Sequence, residues 1–568
     1  MKRATTIIPS RHVLKTTALA VSLLWAGSAS ALELDTGDSD IKLRWDNTLK
    51  YSAAWRTHNP DSTLTARINQ DDGDRNFKKG LISDRWDLLS ELDASYHNFG
   101  VRVSGAAWHD AAYLGGNDNP GGAGGALPNQ SSVGVNQFTS ATRHIHGQGA
   151  EFLDAFAYGK FDLGDSRATV RAGKHSLVWG ETLFFGANGI AGGMMPVDVV
   201  KLMSVPNTQF KEAIRPVQML SGQLQLTPEV SLGAYYQYRW QASRLPASGS
   251  YFSSTDAGPE GGERLWIVPP GAIPAFVNPG ANANGIYATR ADTQKARDSG
   301  QGGIQLRFRD EDTDYGLYAI RFHDKTHQLV PKLGIQPVIG VAPVSYNLVY
   351  HEDITAYGGS FSRTFGEANV AGEVSFRNNQ DLATSSAAVD ASALTGGTAN
   401  NNSDNPAYAV GNTAHANLSV LWNPSPSVLF PESTLVGEVA WNRVLHITKN
   451  ANLIAPRATR DAVALRMTFE PTYRQVLPGL DMGVPLGVGF SPKASRSMAL
   501  GPGAMPSDGG GDVSLGLNFT YLASWYASVA FTHYYGPKAT FLDGNNDYTY
   551  KQNMKDRDFI AMSIRHTF

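Results

Sequence analysis

The chain ends on the stretch Asp558-Phe559-Ile560-Ala561-Met562-Ser563-Ile564-Arg565-His566-Thr567-Phe568. Side chains of a β-strand alternate between its two faces, so one face of this stretch carries Ile560, Met562, Ile564, His566 and Phe568. Chain termini are usually frayed and polar, and a strand that ends on a bare aromatic is unusual for a soluble protein. The stretch predicts the closing strand of a bacterial outer-membrane β-barrel, with Phe568 as its assembly signal.

The N-terminus predicts export from the cytoplasm. An apolar run from Ala18 to Gly27 ends at Ser28-Ala29-Ser30-Ala31, and it is preceded by the bases Lys2, Arg3, Arg11 and Lys15. This order of charge, apolar core and Ala-x-Ala site is typical of a signal peptide, here residues 1–31, which leaves 32–568 as one mature domain. A transmembrane anchor is the alternative, but the run falls short of the ~20 residues that cross a bilayer.

Composition excludes several classes of protein. The chain has 48 basic and 51 acidic residues, and without the four bases of the predicted signal peptide its net charge is −7. A mildly acidic chain is not expected to bind nucleic acid. The chain contains no cysteine, which excludes disulfides and cysteine metal sites. Abundant glycine and 10% aromatic residues fit a transmembrane barrel, whose polar lumen and loops dilute its apolar residues.

Alternating polarity marks the predicted strands. The first strand places Ile41, Leu43, Trp45, Leu49 and Tyr51 on one face, and its other face carries Lys42, Arg44, Asp46 and Lys50. The apolar face predicts contact with lipid, and the charged face predicts contact with the lumen. A soluble β-sandwich would also have one charged face, so this pattern alone leaves both folds open.

The connections between strands favour the barrel. Short turns, such as 162–165 and 227–229, alternate with long stretches, such as 241–300 and 324–354. Outer-membrane barrels have short periplasmic turns and long extracellular loops. About eighteen strands are predicted in an antiparallel, all-β barrel, and sixteen remains possible because Ile354–Phe365 and Gln218–Leu226 alternate poorly. A barrel of this size has an open lumen unless something fills it, and the lead-in 32–40 is too short to form a plug.

The most informative connection is 178–215. It is long and apolar, and its residues Met194, Met195, Val199, Leu202 and Val205 need cover. We expect it to fold into the lumen and narrow it, with an extracellular cap as the alternative. Pro196 is expected to open a short helix with Asp198 in its first turn. The predicted constriction residues are Trp179, Glu181, Asp198, Lys211, Glu212 and Arg215, and the predicted lumen wall includes Arg239, Arg307, Glu373, Arg377 and Arg466.

Catalytic and metal chemistry finds little support. His175 and Ser176 are neighbours on a strand and point to opposite faces, and no Gly-x-Ser-x-Gly elbow is present. Asp543-x-Asn545-x-Asp547 lacks the glycine and terminal glutamate of a calcium loop. The acidic run Asp71, Asp72 and Asp74 indicates a solvated turn. The sequence therefore predicts no enzyme, no metal site and no cofactor.

One segment carries a family resemblance. It contains Gly173-Lys174-His175-Ser176-Leu177-Val178-Trp179-Gly180-Glu181, then Pro196-Val197-Asp198, and then Lys211-Glu212-Ala213-Ile214-Arg215-Pro216. These pieces resemble the family catalogued as domain of unknown function 1302, exported proteins of Gram-negative bacteria. The resemblance implies a barrel. Family members are often encoded beside a periplasmic lipoprotein-carrier-like protein and an inner-membrane permease, which implies traffic of lipid-like molecules.

These observations predict a protein of the Gram-negative outer membrane. Its expected function is a channel or transporter for small hydrophobic or lipid-like solutes that has no energy-coupled plug. The alternative is a non-conducting barrel that serves as a scaffold or partner of a periplasmic lipid-carrier system, and an outer-membrane hydrolase is a third possibility. Expected partners are the outer-membrane lipids and the barrel assembly machinery, together with the carrier and permease that the family resemblance implies.

Overall fold

The computed structural model describes residues 32–34, 40–121, 127–206 and 210–568. The predicted signal peptide, 1–31, lies outside the described residues. The described strands, in chain order, are β1 (Leu32–Leu34), β2 (Ile41–Arg56), β3 (Gly80–Tyr96), β4 (Phe99–Asp110), β5 (Gln148–Leu163), β6 (Ser166–His175), β7 (Val217–Gln225), β8 (Val230–Gln237), β9 (Arg264–Val268), β10 (Ile286–Arg290), β11 (Gln301–Asp310), β12 (Thr313–Phe322), β13 (Gln328–Gln336), β14 (Gly340–Val349), β15 (Ile354–Phe365), β16 (Ala368–Asp381), β17 (Val410–Trp422), β18 (Glu432–Lys449), β19 (Asp461–Leu477), β20 (Leu480–Gly483), β21 (Leu486–Ser491), β22 (Gly510–Tyr521), β23 (Trp525–Tyr535) and β24 (Phe559–Thr567).

Most of these strands form one closed antiparallel barrel. Each strand from β2 to β8 pairs with the next, and the ring continues through β11, β12 and β15–β19 to β24. Strands β20 and β21 both lie between β19 and β22, so they occupy one position in the ring. Strand β24 then pairs with β2 and closes an eighteen-stranded barrel. The predicted barrel is confirmed, and the poorly alternating segments are both strands, β7 and β15.

The closing strand behaves as the terminal stretch predicts. Ile560, Met562 and Ile564 are exposed on the outer face, and Ala561 and Ser563 between them are buried. The backbone of Phe568 exchanges two hydrogen bonds with that of Asn47 on β2, at 2.8 and 2.9 Å. The last residue therefore takes part in the closure of the barrel, and its role as an assembly signal stays a prediction.

Long and short connections alternate strictly around the ring. The short turns include 97–98, 164–165 and 311–312, and they join strands at one rim. The long connections include 57–79, 176–216 and 238–300, and they lie at the other rim. This asymmetry identifies the periplasmic and extracellular sides. Residues Leu32–Leu34 of the short lead-in form β1, which pairs with β2 beyond the end of β24.

The long connections carry structure that the sequence reading did not predict. Strands β9, β10, β13 and β14 form a separate four-stranded sheet, with β10 and β14 parallel. The stretches 241–300 and 324–354, taken as loops, supply these strands because their backbones pair with each other. Short helices also occur there and elsewhere: α1 (Asp72–Arg75), α2 (Ser140–Thr142), α3 (Ala191–Met194), α4 (Val199–Ser204), α5 (Phe210–Ala213), α6 (Pro279–Asn284) and α7 (Ser392–Thr395). None of the helices in the described ranges is long and apolar enough to cross a membrane.

The acidic run in the β2–β3 connection corrects another expectation. Asp71, Asp72 and Asp74 were interpreted as a solvated turn, yet at most 2% of each residue is exposed. Neighbouring loops cover them, which the local sequence does not indicate. Both carboxylate oxygens of Asp543 already have partners. Oδ1 accepts hydrogen bonds from the backbone N–H groups of Asn545 and Asp547, and Oδ2 pairs with Arg457.

Candidate functional site

The connection between β6 and β7, residues 176–216, is here called the β6–β7 segment. Its described part contains three short helices, α3, α4 and α5. Helices of this length leave most of the backbone polar groups without intrahelical partners. Buried backbone groups need partners in a native structure, so the segment must bond to whatever surrounds it.

Strand β16 holds the first part of the segment with two buried charged side chains. The Glu373 carboxylate accepts hydrogen bonds from the backbone of Glu181, at 2.9 Å, and from that of Ile190, at 2.5 Å. The Arg377 guanidinium donates to two backbone oxygens of the segment, at 2.9 and 2.8 Å, on Ala187 and Gly189. Both side chains were predicted as wall residues. The carboxylate of one provides acceptors for backbone N–H groups of the segment, and the guanidinium of the other provides donors for its backbone oxygens.

The glycine of the Trp-Gly-Glu motif has a geometric reason. Gly180 has a φ of 95°, a backbone conformation that side chains rarely adopt. A Cβ at this position would lie 2.1 Å from Oε2 of Glu373. Only glycine therefore lets the backbone approach the Glu373 carboxylate this closely.

Strand β18 provides a third charged anchor, Glu438, which is 1% exposed. Its Oε2 accepts from three successive backbone N–H groups, those of Leu183, Phe184 and Phe185. Nearby, the side chain of Asn188 is enclosed by polar partners from β17 and β18, which are His415, Asn417 and Asn442. The sequence reading missed Glu438 and Asn188. The alternation of side chains along the strand could have predicted an inward position for Glu438. Its partners could not be predicted, because they lie about 250 residues away in the chain.

Apolar residues of the segment pack on the inner face of the neighbouring strands. The Trp179 ring lies 5.0 Å from that of Tyr235 on β8 and 6.3 Å from that of Tyr318 on β12. Ile190, Met194 and Met195 join the same buried cluster and are at most 2% exposed. This cluster supplies the apolar cover that the composition of the segment demanded.

The second part of the segment begins with a helix cap. Asp198 caps α4, since its Oδ1 accepts from the backbone of Lys201 at 3.0 Å. The expectation that Pro196 opens this helix is wrong, because Pro196–Asp198 pair in extended form with residues 213–215. The helix starts at Val199 instead.

Ion pairs connect this second part to the opposite wall. Oδ2 of Asp198 lies 2.7 Å from Arg244, and the same guanidinium grips both oxygens of Glu151 on β5, at 2.9 and 2.6 Å. Oε2 of Glu212 lies 3.9 Å from Nζ of Lys50 on β2. The side chain of Lys211 lies outside the described residues.

Two charged residues of the segment have shifted pKa values. Burial, together with the neighbouring Arg244, lowers the pKa of Arg215 to about 10, so Arg215 stays cationic at neutral pH. Its Nη1 donates to the backbone of Ala242 at 2.6 Å. Burial raises the pKa of Glu181, and Arg307 on β11 opposes this shift from 3.9 Å. Arg307 therefore contacts the segment from the wall, as its predicted inward position requires.

The anchors lie on opposite sides of the barrel. In the ring of eighteen, β5 is the fourth strand and β18 the thirteenth, so they are half a turn apart. The segment is bonded to Glu438 on β18 and, through Arg244, to Glu151 on β5. The contacts of the segment therefore extend from β18 to Arg244, whose guanidinium pairs with β5.

The segment has exposed apolar side chains and leaves a cavity beside the barrel wall. Leu183, Phe184 and Leu202 are 47%, 36% and 55% exposed. A cavity of about 500 Å³ lies between the segment and strands β3–β6. Residues Val178 and Ile214 line its segment side, and its wall includes the charged side chains of Asp93, Arg102, Asp154, Lys160 and Arg171. Val178 and Ile214 therefore form an apolar edge of a cavity whose wall is charged.

Two further wall predictions have different outcomes. Arg466 on β19 forms a 2.6 Å ion pair with Asp512 on β22 across Gly489, and this pair is part of the wall. Arg239 is not on the inner wall, because β8 ends at Gln237. It lies in the extracellular connection and pairs with Asp298 at 3.2 Å.

The histidine considered for catalysis pairs with a serine of the neighbouring strand. His175 Nε2 lies 2.7 Å from Oγ of Ser221 on β7, and its Nδ1 lies 3.1 Å from the backbone oxygen of Gly173. A hydrolytic triad orients its histidine with a polar side chain, and a backbone oxygen takes that place here. Buried hydrogen bonding within the wall accounts for this pair.

The fold defines the class of the protein. A closed barrel with an apolar outer face and paired backbone groups is suited to lipid, and such barrels are proteins of the Gram-negative outer membrane. The architecture is that of a channel-like, porin-like barrel. The chain belongs to the family described as protein of unknown function (DUF1302), whose model matches residues 13–568. No curated protein is similar enough to the chain to count as a match.

Solved structures similar to this chain are outer-membrane proteins. OccAB3 of Acinetobacter baumannii is 10% identical, with 93% of this chain and 99% of that chain covered and a TM-score of 0.43. OpdK of Pseudomonas aeruginosa, solved with vanillate, is 9% identical over 93% and 98% of the chains, with a TM-score of 0.38. OmpF of Salmonella typhi, in complex with daunomycin, is 9% identical over 94% and 100%, with a TM-score of 0.35.

Proposed function

We propose that the protein is a passive channel of the outer membrane in which the β6–β7 segment forms the constriction. We further propose that it passes small hydrophobic or lipid-like solutes without an energy-coupled plug. The observation that carries the proposal is the anchoring of one segment to opposite walls, directly by Glu438 on β18 and, through Arg244, by Glu151 on β5. A connection held in this way divides the interior and fixes the size of the remaining aperture.

The chemistry of the surfaces supports the choice of solute. Val178 and Ile214 offer an apolar surface where the segment lines the cavity, and the rest of the cavity wall carries both positive and negative side chains. A solute with an apolar body and one polar head could contact both surfaces at once. A purely polar solute would have to pass the apolar surface without compensating hydrogen bonds, which costs free energy.

The role proposed for the protein is transport, not catalysis. The family resemblance implies that a carrier and a permease are encoded beside the protein. Such an arrangement suits a barrel that receives or delivers lipid-like solutes. A non-conducting scaffold for the same carrier system is the competing function. The two differ in one property, because only a channel needs a continuous aqueous path past the segment.

Reconstitution separates these functions. The full-length protein in planar bilayers is expected to give steady single-channel steps, and complete silence would favour the scaffold. In proteoliposomes, a medium-chain alkyl carboxylate is expected to enter faster than a sugar of similar mass. Equal entry of both probes would contradict the proposed solute class while leaving the channel intact. Hydrolysis of a phospholipid by the pure protein would contradict the assignment to transport.

A further inference from the structure

A cluster of carboxylates lies under the extracellular loops, far along the chain from the β6–β7 segment. Asp71 and Asp72 belong to the β2–β3 connection, and Asp256 belongs to the β8–β9 connection. One oxygen of each carboxylate lies within 4.8 Å of one oxygen of each of the others. The three residues are 1%, 2% and 0% exposed, so water does not screen their mutual repulsion.

Each carboxylate has an oxygen with nothing to bond. In every one of the three, Oδ1 is buried and has no hydrogen-bond partner in the part of the chain that the structure describes. The other oxygens are engaged: Asp71 Oδ2 by Arg75, Asp72 Oδ2 by the backbone of Asn129 at 2.8 Å, and Asp256 Oδ2 by the backbone of Asp72 at 3.3 Å. Native proteins rarely leave buried polar atoms unpaired, and an ion is one of the standard explanations.

The charges of the cluster do not balance. Among the described residues, Arg75 is the one cation within 4.0 Å of these three carboxylates. With all three carboxylates ionised, two negative charges would have no cation within this distance, and an uncompensated buried charge is costly.

We propose that Asp71, Asp72 and Asp256 bind one divalent cation, and that Ca²⁺ is the ion that fits best. Calcium takes six to eight oxygen ligands at about 2.3–2.6 Å, so oxygens that share one ion lie no more than roughly 5 Å apart. The separations within the cluster meet this condition. Magnesium demands shorter, near-octahedral contacts and gives up its waters reluctantly, so it is expected to bind more weakly here.

The position of this site gives the ion a mechanical role. Asp71 and Asp72 come from one extracellular connection and Asp256 from another, and Asn129 of the β4–β5 connection bonds to Asp72. An ion at this point joins three loops at the rim of the barrel. The site is separate from the β6–β7 segment, so the inference does not depend on the proposed channel.

The test measures calcium binding by the full-length protein in detergent after treatment with EDTA. Titration with CaCl₂ in a calorimeter is expected to show one saturable site per chain, with weaker binding of MgCl₂. Calcium is also expected to raise the melting temperature and to slow tryptic cleavage at Lys78 and Lys79. Absence of saturable calcium binding by the wild-type protein would overturn the proposal.

Two variants locate the site. The double variant Asp72→Asn, Asp256→Asn keeps the shape of the side chains and removes both surplus charges, so the barrel is expected to fold and to lose both calcium binding and the calcium-dependent shift in melting temperature. The control Asp543→Asn alters the incomplete calcium motif, whose oxygens are already bonded, and is expected to bind calcium as the wild type does. Wild-type binding by the double variant, or loss of binding by the control alone, would place the ion elsewhere and overturn the assignment.

Discussion

The two faces of the barrel wall differ sharply between adjacent residues. On β16, Glu373 is 3% exposed, and the next residue, Val374, is 52% exposed. On β18, Glu438 is 1% exposed and Val439 is 43% exposed. In a soluble protein the charged residue of each pair would be outside and the valine inside. The inversion arises because the outer face contacts lipid and the inner face contacts the β6–β7 segment.

The comparison shows that the two faces of the wall place different demands on their side chains. An outward valine interacts favourably with hydrocarbon and needs no specific partner. An inward glutamate must be satisfied by donors, and Glu373 and Glu438 obtain them from the backbone of the segment. Buried charges on the inner face therefore mark the contacts that hold the segment in place.

Removing an inner anchor should have the largest effect. Glu438→Ala leaves the backbone N–H groups of Leu183, Phe184 and Phe185 without an acceptor, and we expect it to destabilise the docked segment by about 3–5 kcal/mol. Hydrogen exchange at the backbone of Leu183, Phe184 and Phe185 measures this opening free energy. The control is Glu432→Ala on the same strand, where the glutamate is half exposed and pairs with Arg474. If both variants exchange at the wild-type rate, Glu438 does not anchor the segment.

Charging the outer face should have the next largest effect. Val374→Arg places a guanidinium in the lipid several residues from either end of β16, and near the midplane this costs roughly 2–4 kcal/mol. Unfolding by urea in lipid vesicles measures the loss. Conductance of the folded variant should be unchanged because the outer face does not line the aperture. A cost near zero would mean that Val374 does not contact the hydrocarbon.

An inner pair that does not touch the segment should have the smallest effect. Arg466 and Asp512 pair with each other on the wall, and their side chains are 36% and 19% exposed. The double variant Arg466→Gln, Asp512→Asn should change stability by less than about 1 kcal/mol. It should shift the ion selectivity of the channel more than its stability. A large loss of stability here would show that every inward charge matters equally, and the distinction between anchors and other wall charges would fail.

Much of the barrel could be predicted from the sequence because its signals are local. The alternation in Asp558–Phe568 needs only the period of a strand, and strict alternation of short and long connections needs only their lengths. The same reasoning missed the sheet of β9, β10, β13 and β14. Its strands lie in stretches that had been assigned to loops by their position between barrel strands.

Features that depend on distant partners could not be predicted in this way. Glu438 receives its donors from residues about 250 positions earlier, so nothing beside it in the chain indicates an anchor. Arg239 continues the alternation of β8, yet the strand ends two residues before it and Asp298 draws it to the rim. Asp71 and Asp72 have the local composition of a solvated turn, and only the fold of other loops buries them.

The most direct test of the account is the single-channel conductance of a protein whose segment no longer crosses the interior. Residues 186–205 are replaced by a short Gly/Ser linker, and heat-modifiable migration on gels verifies that the barrel has assembled. A matched deletion at the tip of the β13–β14 hairpin, residues 337–339, controls for loop shortening. The account predicts that the first variant conducts more than the wild type and sensitises cells to antibiotics, and that the second does neither. Wild-type conductance and sensitivity in the first variant would contradict it, because the segment would then be a cap and not the constriction.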